Sequence, residues 1–284
     1  MISRRQFLTG IIGGAATAGG AVGYGMGIEP HWLEVTEKTV TLPPSAARGP
    51  ALRLAHLSDL HASRWCPPPY LHSAVQQTLE RKPDFVCLTG DFFTCKETWV
   101  DQDVIDCLKP LARAVPTFAS LGNHDGGPFT AQYRGEPNHE RIGAVLAQSG
   151  ISWLQNRTVD FRIRGRPVRL TGLGDLWNND CRPEIAFAGV EPDPSVVAIA
   201  MSHNPDSKEF LLPYPWHLLL SGHTHGGQCG IPGIGRELAP VTDKEFIAGL
   251  YPYLDRQVHI TRGVGNLHGI RILCRPEVSL LTVT

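Results

Sequence analysis

Ala51-Leu52-Arg53-Leu54-Ala55-His56-Leu57-Ser58-Asp59-Leu60-His61 is an apolar run that ends in a carboxylate and an imidazole. Following the break at Pro43-Pro44, residues Ala51 to Ser58 read as a buried strand with Asp59 at its end. The pattern then recurs. Tyr70 to Arg81 places Tyr70, Leu71, Ala74, Val75, Thr78 and Leu79 on one helical face, and Pro83 stops that helix before a strand from Asp84 to Thr89. Gly90-Asp91 follows this second strand. A helix over Gln102 to Ala114 leads to a third strand, Pro116 to Leu121, and then to Gly122-Asn123-His124-Asp125. Strand and helix alternate, which predicts an α/β fold.

The later part of the chain keeps this habit of a polar string after an apolar run. A helix from Glu140 to Ser149 precedes strands near Ile151 to Leu154, Val159 to Ile163 and Val168 to Leu173. Val196 to Met201 presents Ser202-His203-Asn204, and Leu218 to Leu220 presents Gly222-His223-Thr224-His225. His31 to Leu42 has β-type alternation, and Val258 to Thr261, Ile270 to Cys274 and Val278 to Thr284 read as strands closing a second sheet. In open α/β sheets ligands bind beyond the carboxyl ends of strands, where loops converge, so residues distant in sequence are expected to meet. Gly90, Gly122 and Gly222 stand where a buried strand must turn sharply beside them.

Composition narrows the function. Lysine plus arginine number 26 against 27 aspartate plus glutamate, so no net field draws the chain to nucleic acid or to anionic lipid, and phosphate affinity must be local. Cys66, Cys87, Cys95, Cys107, Cys181, Cys229 and Cys274 are odd in number and unclustered, which argues against a disulfide framework or a thiolate metal site and reads as buried small hydrophobes. Aspartate, histidine and asparagine donors suit divalent Mn, Zn or Fe. Of the 12 histidines, His31, His56, His72, His139, His217, His259 and His268 are read as structural by default. His268 is the first candidate for an exception among them, because its Gly265-Asn266-Leu267-His268-Gly269 turn is able to face a site.

The ordered strings D-x-H, G-D, G-N-H-D, a lone histidine and G-H-x-H, over roughly residues 52–226, resemble the calcineurin-like metallophosphoesterase family. The resemblance implies two packed mixed β-sheets flanked by helices, a four-layer αββα sandwich. It implies two divalent ions per chain, the first held by Asp59, His61, Asp91 and His225, the second by Asp91, Asn123, His203 and His223. Asp91 would bridge them, since a shared carboxylate reduces repulsion between ions about 3.5–4 Å apart. The expected chemistry is phosphoester hydrolysis, foremost of a diester, by attack of a metal-bridging hydroxide. His124 resembles the family's non-ligand catalytic histidine at the leaving oxygen, and Asp125 is a candidate to orient its ring.

Other readings have their own residues. Asp175, Trp177, Asn178 and Asn179 are candidates to line a substrate cleft or to form its turn. Trp65 and Trp99 are candidates for stacking but read first as packing, and Arg64, Arg134 and Arg262 are candidate phosphate clamps. The alternative substrates are a lipid or nucleotide-sugar lipid pyrophosphate of the UDP-diacylglucosamine type, with membrane association, or a phosphoprotein. A non-catalytic metal-binding scaffold is the alternative from another class. The His124-Asp125 pair argues against it, because a scaffold needs no leaving-group acid.

Ser3-Arg4-Arg5-Gln6-Phe7-Leu8 and the uncharged Thr9 to Ile28 resemble a twin-arginine export signal. Residues 1–28 are thus expected to engage the twin-arginine export machinery or to anchor the chain, and residues 29–284 to form one domain. The expected location is the periplasm or the periplasmic face of the inner membrane. Ala16-Thr17-Ala18 is a candidate cleavage site.

Overall fold

The computed structural model describes residues 20, 22–94 and 101–284. Its elements, numbered in chain order, begin with β1 (Glu34–Val40), β2 (Leu52–Leu57), α1 (Pro68–Glu80), β3 (Phe85–Thr89), α2 (Asp101–Ala114), β4 (Thr117–Ser120), α3 (Pro128–Gln132), α4 (Glu140–Ser149) and β5 (Ser152–Trp153). There follow β6 (Arg157–Ile163), β7 (Arg166–Gly172), α5 (Pro183–Ala186), β8 (Val197–Met201), β9 (Leu218–Ser221), α6 (Ile234–Leu238), β10 (Gly249–Tyr253), β11 (Arg256–Ile260) and β12 (Glu277–Val283). The twin-arginine string, Cys95 and Trp99 lie outside the described residues.

The strands form two six-stranded sheets, ordered β1-β12-β2-β3-β4-β5 and β10-β11-β9-β8-β7-β6. Both are mixed. In the first, β2 to β5 are parallel and β12 runs antiparallel to β2. In the second, β7, β8, β9 and β11 are parallel, with β6 and β10 antiparallel at the two edges.

Side chains of a strand alternate between faces, and here both faces are largely buried, so the central strands are mostly apolar. Leu52 and Leu54 of β2 and Phe85 and Cys87 of β3 point between the sheets, where they meet Val197, Ile199, Leu218 and Leu220. Their neighbours Ala55, Leu57, Val86 and Leu88 point outward onto Leu71, Val75, Leu108 and Leu146 of α1, α2 and α4. The outer face of the second sheet is covered by Phe187, Leu211 and Trp216, supplied by a short helix and turns. The four layers expected from the resemblance are present, with the fourth much thinner than the first.

Two expectations about the C-terminal segment are corrected. The strand at the chain end, β12, closes the first sheet and not the second, inserted between β1 and β2. Apolar residues at both parities show a doubly buried strand, with Val278 and Leu280 on the helix side and Leu281 and Val283 between sheets, but that pattern does not name a neighbour. Ile270 to Cys274 is not a strand. It makes a single bridge, Ile272 to Cys229, because Leu273 turns into left-handed backbone at φ 52° and the Arg271 guanidinium is buried against main-chain carbonyls. A strand not read from the sequence, β10, forms an edge and tolerates Pro252 there.

Candidate metal centre

Each polar string stands beyond the carboxyl end of a parallel strand: Asp59 and His61 after β2, Asp91 after β3, Asn123 to Asp125 after β4, His203 after β8, His223 and His225 after β9. The strand tips of both sheets therefore supply one site. Main-chain bonds weld the loops: the Asp59 N–H donates to the Gly90 carbonyl, His61 to Asp91, and Gly222 to His203, each at 2.9 Å. A side chain at Gly222 would collide with Ser58 and Asp59, so this close approach requires glycine. Asp59, His61, Asp91, His223 and His225 all have positive φ, from 45° to 69°. Such backbone is strained for these residue types and concentrates at functional sites.

The side chains gather into two groups, Asp59 with His61 and His225, and Asp91 with His203 and His223, each with ligand atoms within 4.8 Å of one another. Asp91 Oδ2 lies between them, 3.1 Å from His203 Nε2 and 3.5 Å from His61 Nε2. Neighbours select which ring nitrogen faces inward. His203 Nδ1 is 2.6 Å from the Thr89 carbonyl and donates to it, turning Nε2 toward the carboxylates. His223 Nε2 donates to the Pro240 carbonyl at 3.0 Å, leaving Nδ1 for the site. Such outer hydrogen bonds fix the tautomer of a metal-binding imidazole.

The electrostatics are those of a site built for positive charge. Burial pushes the Asp59 carboxyl up to about 6, against the pull of His203. Asp91 is as deeply buried, yet His203, His124 and His61 outweigh burial and hold its carboxyl well below the usual range. Burial opposes protonation of His203, but Asp91 and Asp59 raise it to about 10. Burial dominates elsewhere, lowering His61 and His223 to about 3 and His225 well below its ordinary value. His61 Nε2 and His225 Nε2 face each other at 3.1 Å, and Asn123 Oδ1 is buried without a hydrogen-bond partner. Ring nitrogens, an orphaned amide oxygen and two carboxylates together fit divalent cations, which take the place of protons on deprotonated ligands.

A calcineurin-like phosphoesterase model matches residues 52–227. The chain belongs to that family. It is similar to phosphodiesterase YaeI of Escherichia coli (strain K12), 39% identical with 99% of both chains covered. It is 31% identical to the uncharacterized metallophosphoesterase YkuE of Bacillus subtilis (strain 168), over 99% of this chain and 98% of the relative. UDP-2,3-diacylglucosamine pyrophosphatase LpxG of Chlamydia muridarum (strain MoPn / Nigg) is 26% identical over 89% of this chain and 90% of its own. This chain is therefore a metal-dependent phosphoester hydrolase.

The phosphoesterase cleft, about 500 Å³, opens over the metal-ligand candidates, with His124 and His268 in its wall. The backbone N–H of His124 donates to Asp91 Oδ1 at 2.8 Å, and its ring meets His61 and Phe129 edge-on. Asp125 does something other than the expected orienting of that ring. Its Oδ2 accepts from the Asp91 and Gly122 amides and its Oδ1 from the Phe92 amide, at 2.7–2.8 Å, so the carboxylate ties the β3 and β4 loops together. Burial and the charge of Asp91 nevertheless push it up to about 7.

The remaining candidates divide. Trp177 borders the cleft, edge-on to His223 with ring centroids 4.4 Å apart. Asn178 braces it, accepting from the Phe129 amide at 2.9 Å, and Asp175 caps the same turn through the Asn178 amide at 2.9 Å. Asn179 is an exposed turn former at φ 55°. Arg262 is corrected from phosphate clamp to structural ion pair, held by Glu277 at 2.8 Å and by Glu34. Arg64 lies over Trp65, Arg134 is exposed, and neither borders the cleft. Trp65 packs against the first core. Sequence reasoning missed Phe129 and Tyr133, which wall the cleft from α3 and the residue after it. A short helix with no metal motif of its own gives no local signal for that placement.

Proposed function

We propose that this phosphoesterase hydrolyses phosphodiesters with two divalent ions, held by Asp59, His61, Asp91 and His225 and by Asp91, Asn123, His203 and His223. The observation that carries the reading is the placement of Asp91 Oδ2 between the two ligand groups. When bound, Mn, Zn or Fe ions supply Lewis acidity toward phosphoryl oxygens and a hydroxide nucleophile near neutral pH. The chain's residues do the rest. Asp125 and the glycine turns hold the strand-tip loops in register, Thr89 and Pro240 hold the tautomers of His203 and His223, and His124 in the cleft wall assists the departing oxygen. Trp177, Phe129 and Tyr133 form an aromatic side to the cleft that suits a bulky ester substituent.

The similarity to phosphodiesterase YaeI supports diester preference. A second reading, a lipid-linked pyrophosphate or phosphoester, is supported by the similarity to LpxG and by an apolar cavity beside the cleft. Export by the twin-arginine route to the periplasmic side of the inner membrane is part of the proposal, resting on the Ser3 to Leu8 string and the uncharged stretch after it. No helix of the described residues is long and apolar enough to cross a membrane.

The test is hydrolysis of bis-p-nitrophenyl phosphate against p-nitrophenyl phosphate by chelated protein reloaded with Mn, Zn or Fe. Metal-dependent turnover with the diester favoured is the expected result. A bound metal pair with no turnover of either ester would return the scaffold reading.

A further inference from the structure

A cavity of about 570 Å³ adjoins the catalytic cleft, and His225, Pro240, Leu267 and His268 border both. Beyond these shared residues it is walled by Ile231, Ile234, Leu238, Ile270 and Ile272, with no aspartate, glutamate, lysine or arginine in its lining. Two of its polar side chains are held by main-chain groups. Gln228 donates to the Ile270 carbonyl and accepts from the Leu267 amide, both at 3.3 Å, and Thr224 Oγ1 donates to the Ile247 carbonyl at 2.6 Å. Apart from the histidines it shares with the cleft, the cavity's lining is mainly aliphatic.

The groove is rigidly indexed to the metal centre. Its floor is the His225–Gln228 turn that carries a ligand candidate, and α6 lies on that turn so closely that a side chain at Gly227 would strike Gly235. The volume falls within the range of about 300–1,000 Å³ usual for small-ligand sites. An occupant of this groove adjoins the metal-centre cleft and meets a mainly apolar lining. The aliphatic substituent of the phosphoester itself meets both conditions.

The groove's mouth points to where that substituent comes from. Of its lining, Ile234 and Leu238 stand 50% and 61% exposed, and Leu273, next in the chain to the lining residue Ile272, is 66% exposed. Gly25 packs against Ile272, which sets the helical segment of residues 22–27 on the same rim, with Val22 and Met26 exposed. Upstream, Gln6 to Ile28 contain no charged side chain. Exposed apolar residues grouped beside a groove mark an interaction surface.

We propose that the Ile231–Ile272 groove binds the aliphatic chain of a lipid phosphoester whose phosphate lies at the metal centre. The assignment rests on the cleft being a phosphoester site, as proposed above. It makes Ile234 and Leu238 specificity-determining residues outside the catalytic machinery.

The experiment uses the full chain loaded with Mn, the parent beside an Ile234→Ser/Leu238→Ser variant. Calorimetry measures binding of methyl-, hexyl- and decylphosphonate below their micellar concentrations. In parallel, methyl and decyl p-nitrophenyl phosphate are assayed for hydrolysis. In the parent, Kd should tighten by at least about tenfold from methyl to decyl, as burial of several methylenes requires. The variant should lose most of that gain while binding methylphosphonate like the parent, which also shows that it is folded. Where the methyl compound binds too weakly to measure, hexyl against decyl makes the same comparison. A flat series in the parent, as a groove filled by the chain's own residues 1–19 or by a second copy would give, overturns the proposal. So does a gain that survives in the variant. Chain-length dependence without hydrolysis would sink the catalytic reading and leave the groove standing. Hydrolysis with a flat series would do the reverse.

Discussion

Two sets of buried histidines lie at the interface of the sheets, and they differ in what their strands do with them. His61, His203, His223 and His225 stand beyond strand ends, next to Asp59 and Asp91, and His61, His223 and His225 have left-handed backbone. His56 and His259 stand within β2 and β11, where the alternation of the strand turns both rings between the sheets. There they pair Nδ1 to Nδ1 at 2.9 Å, and His56 Nε2 reaches Thr89 Oγ1 at 2.8 Å. Burial lowers His259 to about 4 and His56 well below its ordinary value. Deep burial of an imidazole therefore does not make a metal site. Strand-end position and a shared carboxylate do, because a loop can bring several donors around one point while a strand interior offers one side chain per face.

The sharpest way to break this contrast is Asp91→Ala, which removes the carboxylate that both groups approach. Metal analysis and the diester assay should show loss of bound metal together with activity falling to the limit of detection. His124→Ala should lower turnover by about 10²–10⁴-fold, the usual worth of a positioned acid or base, with metal content retained. Equal loss of metal would instead make His124 a ligand. Asp125→Asn should weaken metal affinity by about 10–100-fold, the usual effect of an outer partner, because one of its acceptor oxygens becomes a donor facing the loop amides.

The smallest effect belongs to the structural pair. A histidine whose folded pKa is lowered stabilises the native state above its unfolded value, near 6.5, and that stability is lost as pH falls toward about 4. The metal-free parent should therefore lose stability between pH 6.5 and 4. The slope should be shallower for His259→Asn, by at most about 3 kcal/mol over that window. Denaturant titrations at several pH values measure it, and identical slopes would show that the pair does not titrate with folding.

The pair and the site are also joined. Thr89 accepts from His203 Nδ1 through its carbonyl while its hydroxyl meets His56, so the structural histidine braces the strand that carries Asp91. Nothing local in the sequence reveals that link. The strings around Asp59, Asp91, Asn123, His203 and His223 were legible because each is a short polar insert after an apolar run, a pattern set by residues within a few positions of one another. The strand order was less so. Apolar residues at both parities mark β12 as buried on both faces, but its partners β1 and β2 are chosen by packing of residues more than 200 positions away.

The sequence by itself determined the donor set, its order along the chain and its delivery at strand ends, since side-chain chemistry and hydrophobic period are local properties. Tertiary structure alone decided that Asp91 lies between the two groups of candidate ligands and that Thr89 and Pro240 select which ring nitrogens of His203 and His223 face the site. It alone decided that Asp125 serves backbone amides, that Arg262 is spent on Glu277 and Glu34, and that an isoleucine-lined groove adjoins the cleft. These are outcomes of burial and hydrogen-bond matching between distant segments, and such matching exists only once the chain has packed.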